Sequence, residues 1–515
     1  MSKSYLIGVD AGVSFIKVGV YDVEGNSRAL VIKRAPGEYP KAGVFLQSAE
    51  ELLKIIQEAL KEAVERAGIA GSAVEAIGFS GAMGGALGVD RNWQVAADWS
   101  IISDTRCYPY VTRMQNAQGR RILEQSGTNF PIMGPKILWW QEEYPELHDR
   151  VAKFMVLAGF VIGRLGALPL EDAFIDRTYL HFTGLADLRR NAWSAEICRE
   201  FGIDVQRLPR IVDSNTVVAR LSAEAAGACG LRQGTPLVAG AGDKPAGALG
   251  AGLVTPGLLI DESASFGALS LSVDKYIPDL GNRTLENLPS PLAGHYLPSF
   301  YLFGSGVTHA WFRDVFAEEE KRLASQTGES AFAVLDEKAA RVPPGSEGLL
   351  ALGLFGGRGY PSDPDIKGLW IGHSWVHRKE HFYRALLESF AYEYSCVLEV
   401  MKKNYPELTF DEIRVIGGGA RSDLWNQMKA DVLGVPYARL SRDDYALLGD
   451  ILLAGNAVGV FPDLAKSAQK HIQVTKRYLP DLKRHEQYRG YIGLYRSLFD
   501  RTRGIFQGLK NLPSA

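Results

Sequence analysis

The sequence predicts an α/β protein made of two like-folded lobes that face each other across a ligand-binding cleft. Three observations lead there. The chain has 515 residues, too many for one ordinary core. Strand-like and helix-like periodicities alternate along it. One strand–turn–strand pattern with an acidic strand end, "GVDAGVSFIKVGVYD", recurs half a chain later as "GLLIDESASFGALSLSVD", so that Asp10 and Asp261 hold similar places. Chance recurrence of a common hairpin is the competing account. If the repeat is real, ligands bind between the lobes.

Composition narrows the function classes. Apolar residues make up 46% of the chain and charged residues 23%, a globular balance. With 57 Lys and Arg against 59 Asp and Glu, there is no broad basic surface for a nucleic-acid backbone. The opening "MSKSYLIGVDAG" has too short an apolar run for a signal peptide. The longest apolar stretches, 156–170 and 246–260, are broken by Arg164 and Pro256 and fall short of a membrane span. Cys107, Cys198, Cys229 and Cys396 form no CxxC pair, which predicts reduced thiols in a cytoplasmic protein and speaks against structural zinc.

The elements follow in order. "YLIGVD" is a buried strand, residues 11–14 a glycine-containing turn, and "FIKVGVYD" a second strand, leaving Asp10 at a strand end beside the turn. Ser48 and Glu51 form a capping box for a helix whose apolar face is Leu52, Leu53, Ile56, Leu60, Ala63 and Val64, closed by Gly68. "VEAIGFSG" returns as a strand. Further on, "GAGDKPAGALGAG" sets Asp243 and Lys244 in a run of glycine and alanine. Pro245 suits a helix's first turn and places Asp243 just ahead of an N-terminus, where amides and the helix dipole favour an ionised carboxylate. Ile413–Ile416 is a strand, residues 417–419 a turn, and a helix begins near Ser422 with Trp425, Met428 and Val432 at helical spacing. The tail is an amphipathic helix carrying Tyr488, Tyr491, Leu494 and Leu498. No Pro- or Ser-rich linker separates the halves, so the division into 1–253 and 254–515 rests on the repeat.

Taken singly, the motifs have ordinary readings. The glycines at 417–419 are a plain connection, or a place where a flat ring or a phosphate lies against bare backbone. Neither GxGxxG nor GxxxxGK[ST] occurs there or elsewhere in the chain, which excludes a dinucleotide fingerprint and a P-loop. Asp10 either bonds its turn or serves a hard cation such as magnesium. Asp104 and Arg106 in "SIISDTRC" read as a surface pair, Met83 as core, and Asp243 as a helix cap.

Their order along the chain is more specific. "GVDAGVSFIKVGVYD", "GFSGAMGGALGVD", "SDTRC", "GAGDKPAGALGAG", "GSGVTHAWFRD", "PPGSEGLLALGLFGGRGYP", "RALLESFAYEY" and "GGGARSDLWNQMKADVLGVP" together resemble the FGGY carbohydrate kinases, nearest their xylulokinase-like branch, over about residues 5–460. The resemblance implies an actin-like ATPase fold: two ribonuclease-H-like lobes, with sugar held in the first and ATP in the second. It implies that Asp10 serves magnesium, and that Met83, Asp104 and Asp243 lie at the sugar with Asp243 as general base. Gly12, Ser14 and Ser265 fall in the two phosphate-facing turns, while Gly306, Gly418, Gly419 and Asp423 flank the nucleotide. The implied partners are a small sugar or polyol, ATP and Mg2+, with no nucleic acid or membrane; a homodimer is common among relatives.

The departures are as informative. Val13 stands where the family usually has Thr, and Ser263, Ala264 and Ser265 replace its usual Gly-Thr-Ser. Lys244 stands where Asn or Gln usually follows the base. Met83, Gly84 and Gly85 replace the Met-His-Gly of xylulokinases, and Leu448, Gly449 and Asp450 replace the start of LGAA. Each lost hydroxyl donor is worth about 1–3 kcal/mol of phosphate stabilisation, which Ser14, Ser265 or Lys244 would have to supply. The leading expectation is a sugar or polyol kinase acting on a primary hydroxyl, a pentulose such as xylulose being the nearest case. The rivals are a regulatory protein of the same fold with impaired catalysis, and an actin- or chaperone-like ATPase with a protein client.

Overall fold

The computed structural model describes residues 4–359 and 361–512. The ends of the two predicted lobes, residues 1–3 and 513–515, and Tyr360 of "GRGYP" lie outside the described residues.

Two seven-stranded sheets organise the molecule. The first runs Ser27–Arg34, Phe15–Asp22, Tyr5–Ala11, Val74–Gly81, Pro236–Val238, Val217–Arg220, with Ala241–Gly242 also paired on Val74–Gly81. Its neighbours are antiparallel, antiparallel, parallel, parallel and antiparallel in that order. The second sheet, Tyr296–Leu302, Gly267–Leu271, Leu259–Glu262, Ile413–Ile416, Tyr437–Leu440, Val474–Tyr478, repeats the same succession of senses, with Glu286–Pro289 added outside. The recurring hairpin is therefore the start of a duplicated fold, not a chance match.

Tyr5–Ala11 is buried along its whole length because both faces of its sheet are covered. On one face lies the helix Ala49–Ala67, whose predicted apolar residues are buried, whose Ser48 cap accepts the Glu51 amide at 3.4 Å, and which ends at left-handed Gly68. On the other lies a helix from the far half of the chain, Tyr445–Ala457, packing Leu447, Leu448, Ile451 and Leu452 with Leu6, Ala76 and Val238. This helix also crosses Asp243–Gly250 at very short range. A Cβ on Gly449 would stand 2.1 Å from the Ala246 carbonyl oxygen, and one on Gly250 would stand 1.9 Å from that of Tyr445. The small residues around Asp243 are thus a helix-crossing surface.

The tail forms the helix Leu482–Lys510 on the second lobe, with the Tyr488 and Tyr495 hydroxyls donating to Glu388 and Glu393. Its buried line is Tyr488, Ile492, Tyr495, Leu498, Phe499, Thr502 and Phe506, which includes the expected Tyr488 and Leu498; Leu494, expected on that face, is 59% exposed. Each three-residue step falls about 60° short of a full turn, so two in succession carry Leu494 off the face. Cys107, Cys198 and Cys229 are buried free thiols, and no helix among the described residues is long and apolar enough to cross a membrane.

Candidate active site

Asp243 is delivered to the cleft by a backbone with no spare room. Gly240 has φ +73°, and a Cβ there would stand 1.6 Å from the Phe79 carbonyl oxygen. Buried Met83 packs directly against Gly242, where a Cβ would meet its sulfur at 2.5 Å. Asp243 is then the first residue of the helix Asp243–Gly250, half-buried, with the Lys244 amide donating to its Oδ1 at 2.8 Å. Burial pushes its carboxyl up to about 6; Lys244 pulls against that shift, while Asp10 and Glu262 add to it. A carboxylate of that affinity is ionised at neutral pH yet basic enough to take a proton.

Asp10 is the last residue but one of its strand, with Oδ2 accepting from Lys17 Nζ at 3.2 Å, while its Oδ1 is buried without a hydrogen-bond partner. Burial raises its carboxyl, and Lys17 opposes the rise. Beside it Asp450, fully buried, accepts from Ser80 Oγ at 3.0 Å and leaves its other oxygen unpartnered. Burial, then the charges of Asp10 and Asp243, hold the Asp450 carboxyl well above its ordinary range. Among the described residues no group of three or more His, Cys, Asp or Glu could hold a metal ion. One orphan carboxylate oxygen is nevertheless what Mg2+ uses when water and nucleotide phosphates supply its other ligands. The residues fit magnesium carried in with a nucleotide.

Asp261, the counterpart of Asp10 in the second lobe, is closed. Its oxygens accept from Lys429 Nζ, the Tyr394 hydroxyl and Ser263 Oγ, and both Asp261 and Lys429 are fully buried. The duplication is one of fold and not of function.

Five residues chosen from the sequence, Ser265, Gly306, Gly418, Gly419 and Asp423, line one cavity of about 870 Å³ in the second lobe. Ala264 lines it too, with a methyl group in place of a hydroxyl. Asp423 is engaged by Lys476 at 2.7 Å and by the Tyr478 hydroxyl, so its carboxylate is already spoken for. Sequence reasoning missed Asp336, Phe332 and Arg313 in the same cavity. Burial pushes the Asp336 carboxyl up to about 6 against hydrogen bonds from Ser422 and Tyr383, and the Arg313 guanidinium lies 5.0 Å from the Phe332 ring centre. Arg313 falls within "GSGVTHAWFRD", whereas Phe332 and Asp336 come from the helix Ala331–Ala340, which carries no motif.

Other expected residues lie outside that cavity. Asp104 is fully buried and not a surface acid; Arg106 grips it through Nε at 2.8 Å and Nη2 at 2.7 Å, and Ser100 Oγ donates at 2.9 Å. Burial notwithstanding, those partners and Lys136 hold its carboxyl below the ordinary range. With both oxygens taken, Asp104 orients Arg106, which stacks on Trp139 at 4.6 Å beside a separate groove of about 450 Å³. Ser14 is exposed and, with Val13, borders a groove of about 390 Å³ that shares no lining residue with the nucleotide-sized cavity. Gly12 sits in the turn after Asp10, between the two strands of the hairpin.

Residues 5–250 match the N-terminal domain of the FGGY family of carbohydrate kinases, and residues 289–458 match the C-terminal domain of that family. The chain belongs to this family. It is a carbohydrate kinase of the actin-like ATPase fold, and ATP is the substrate that its family shares. Xylulose kinase of Bacillus subtilis (strain 168) is 28% identical over 518 residues, covering 98% of this chain and 99% of its own length. Autoinducer-2 kinase of Escherichia coli (strain K12) is 26% identical over 525 residues, covering 98% and 94%. Among solved structures, gluconate kinase from Lactobacillus acidophilus superposes with a TM-score of 0.89 at 22% identity, over 99% of this chain and all of its own. Plasmodium falciparum glycerol kinase with ADP gives 0.86 at 17% identity, over 97% and 98%. These two likenesses establish the fold and leave the acceptor open.

Proposed function

We propose that this kinase transfers the γ-phosphoryl group of ATP to a primary hydroxyl of a small ketose or polyol, with a pentulose of the xylulose class as the leading acceptor, and that Asp243 is the general base. The observation that carries the reading is the Asp243 carboxyl. It stands at a helix start, one residue after Gly242, against which Met83 packs, with Lys244, Asp10 and Glu262 as its charged neighbours. As the acceptor oxygen attacks the γ-phosphorus, its proton passes to Asp243 and ADP departs. Magnesium, held through Asp10 and water, would spread the charge of the phosphates. The cavity holding Ser265, Gly306, Gly418 and Gly419 receives the nucleotide, and closure of the lobes 1–253 and 254–515 excludes water from the transfer.

The pocket at Gly84 weighs against D-xylulose itself within that class. A Cβ on Gly84 would meet only the Ile102 side chain, no closer than 3.4 Å, so the missing histidine leaves open space. That favours an acceptor bulkier than, or differently substituted from, the one a histidine would bound. The buried free thiols fit a cytoplasmic location. Purified protein with ATP, magnesium and a panel of pentuloses, hexuloses and polyols tests the reading through ADP release. One acceptor should stimulate release at least about tenfold over the sugar-free rate, a difference of about 1.4 kcal/mol in barrier. Release that no member of the panel stimulates would contradict it.

A further inference from the structure

Lys244 immediately follows the base, and its backbone amide donates to the Asp243 carboxylate, yet its ammonium points elsewhere. Nζ donates to Glu262 Oε2 at 2.9 Å and stands 5.2 Å from the centre of the Tyr301 ring. Lys244 belongs to the helix Asp243–Gly250 and Glu262 to the strand Leu259–Glu262 of the opposite lobe, so the pair spans the cleft. It is half-buried, with side-chain exposures of 32% and 16%. The three residues after Glu262, namely Ser263, Ala264 and Ser265, line the nucleotide-sized cavity.

A lysine is a point charge on a four-carbon stem that can turn toward either of two acids. An ammonium close to a carboxylate favours the charged form and weakens it as a base. Burial opposes the Lys244 charge, and Glu262 ahead of Asp243 overcomes that and raises its proton affinity, so both acids act on one cation. We infer that Glu262 is a positioning residue: it draws the Lys244 ammonium across the cleft, off the Asp243 carboxylate, and stations it at the hairpin of the second lobe, where Ala264 supplies no hydroxyl. Three charges are then arranged for one purpose. Asp243 keeps its basicity, and a cation waits where negative charge arrives. An ion pair that merely joined two surfaces would contribute little, and removing either partner would have the same small effect.

The inference rests on Asp243 being the base, and a mutant cycle separates the two claims. Full-length wild type, Glu262→Gln, Lys244→Met, the double variant, Glu262→Asp and Asp243→Asn are assayed for ADP release with ATP and D-xylulose, or with the best acceptor from the panel above. Glu262→Gln frees the ammonium to pair with Asp243 and lowers kcat by about tenfold, the effect of shifting a base by about one unit. Lys244→Met chiefly raises the KM for ATP. The double variant recovers most of the lost kcat while keeping the raised KM, and Glu262→Asp, which retains the charge, stays near wild type in kcat. A double variant no faster than Glu262→Gln, or a Glu262→Gln variant with unchanged kcat, overturns the role of the pair. If Glu262→Gln does not fold, an Asp variant with kcat well below wild type overturns it as well. Activity that survives in Asp243→Asn overturns the base itself, whatever the cycle shows.

Discussion

A carboxyl pushed up to about 6 changes protonation inside the range where a kinase is assayed, and Asp243 is such a group. It acts as a base only when ionised, so kcat/KM should fall about tenfold per pH unit below about 6 and level off above it. A profile flat down to pH 5 would show that some other group takes the proton. Asp450 makes an opposite kind of statement. Burial and the neighbouring charges of Asp10 and Asp243 raise its carboxyl, so the folded chain keeps a proton that the unfolded chain has lost. Folding stability therefore falls as pH rises from the unfolded carboxyl value, near about 4, through the higher folded one. Asp450→Asn removes that liability and still accepts from Ser80. Without nucleotide or metal, it should melt at a higher temperature than wild type at pH 7.5, with the difference closing toward pH 4. An equal difference at both pH values would contradict this.

At the scale of elements, the crossing of Asp243–Gly250 and Tyr445–Ala457 fixes where the base stands. Gly449→Ala forces a methyl into the 2.1 Å approach to Ala246. It should cost about 1–3 kcal/mol in denaturant unfolding and raise the KM for the acceptor by tilting the helix that bears Asp243. Unchanged stability would mean that the two helices are not held together there. The Ser48 cap, the Gly68 stop, the paired hairpins and the glycine turn before Asp423 were readable because each depends on residues a few positions apart. Of the tail's expected face Leu494 alone is exposed, since three-residue steps drift around a helix. Glu262 and Asp336 left no local signal; they matter through contacts with residues 18 and more than 40 positions away. The burial of Asp104 has no local signal either, since Lys136, which donates to the Asp104 carbonyl, lies more than 30 positions away.

For the whole molecule, two halves with the same succession of strand senses do different work. Asp10 keeps one carboxylate oxygen unpartnered, whereas Asp261 spends both on Lys429, Tyr394 and Ser263. One lobe therefore presents an acid to the cleft, and the other uses the equivalent acid to hold its own core. The motif order revealed the family and the lobes, while the division of labour between them needed the packing. Between the lobes stand Asp243, Lys244 and Glu262, so the cleft is where phosphoryl transfer is expected. The most direct measurement is acceptor-dependent ADP release by Asp243→Asn, a change that keeps the shape and removes the base. Asp243 as the base predicts a loss of about 10²–10⁴-fold in kcat with the KM for ATP little altered. Acceptor-dependent release within a few-fold of wild type would contradict it.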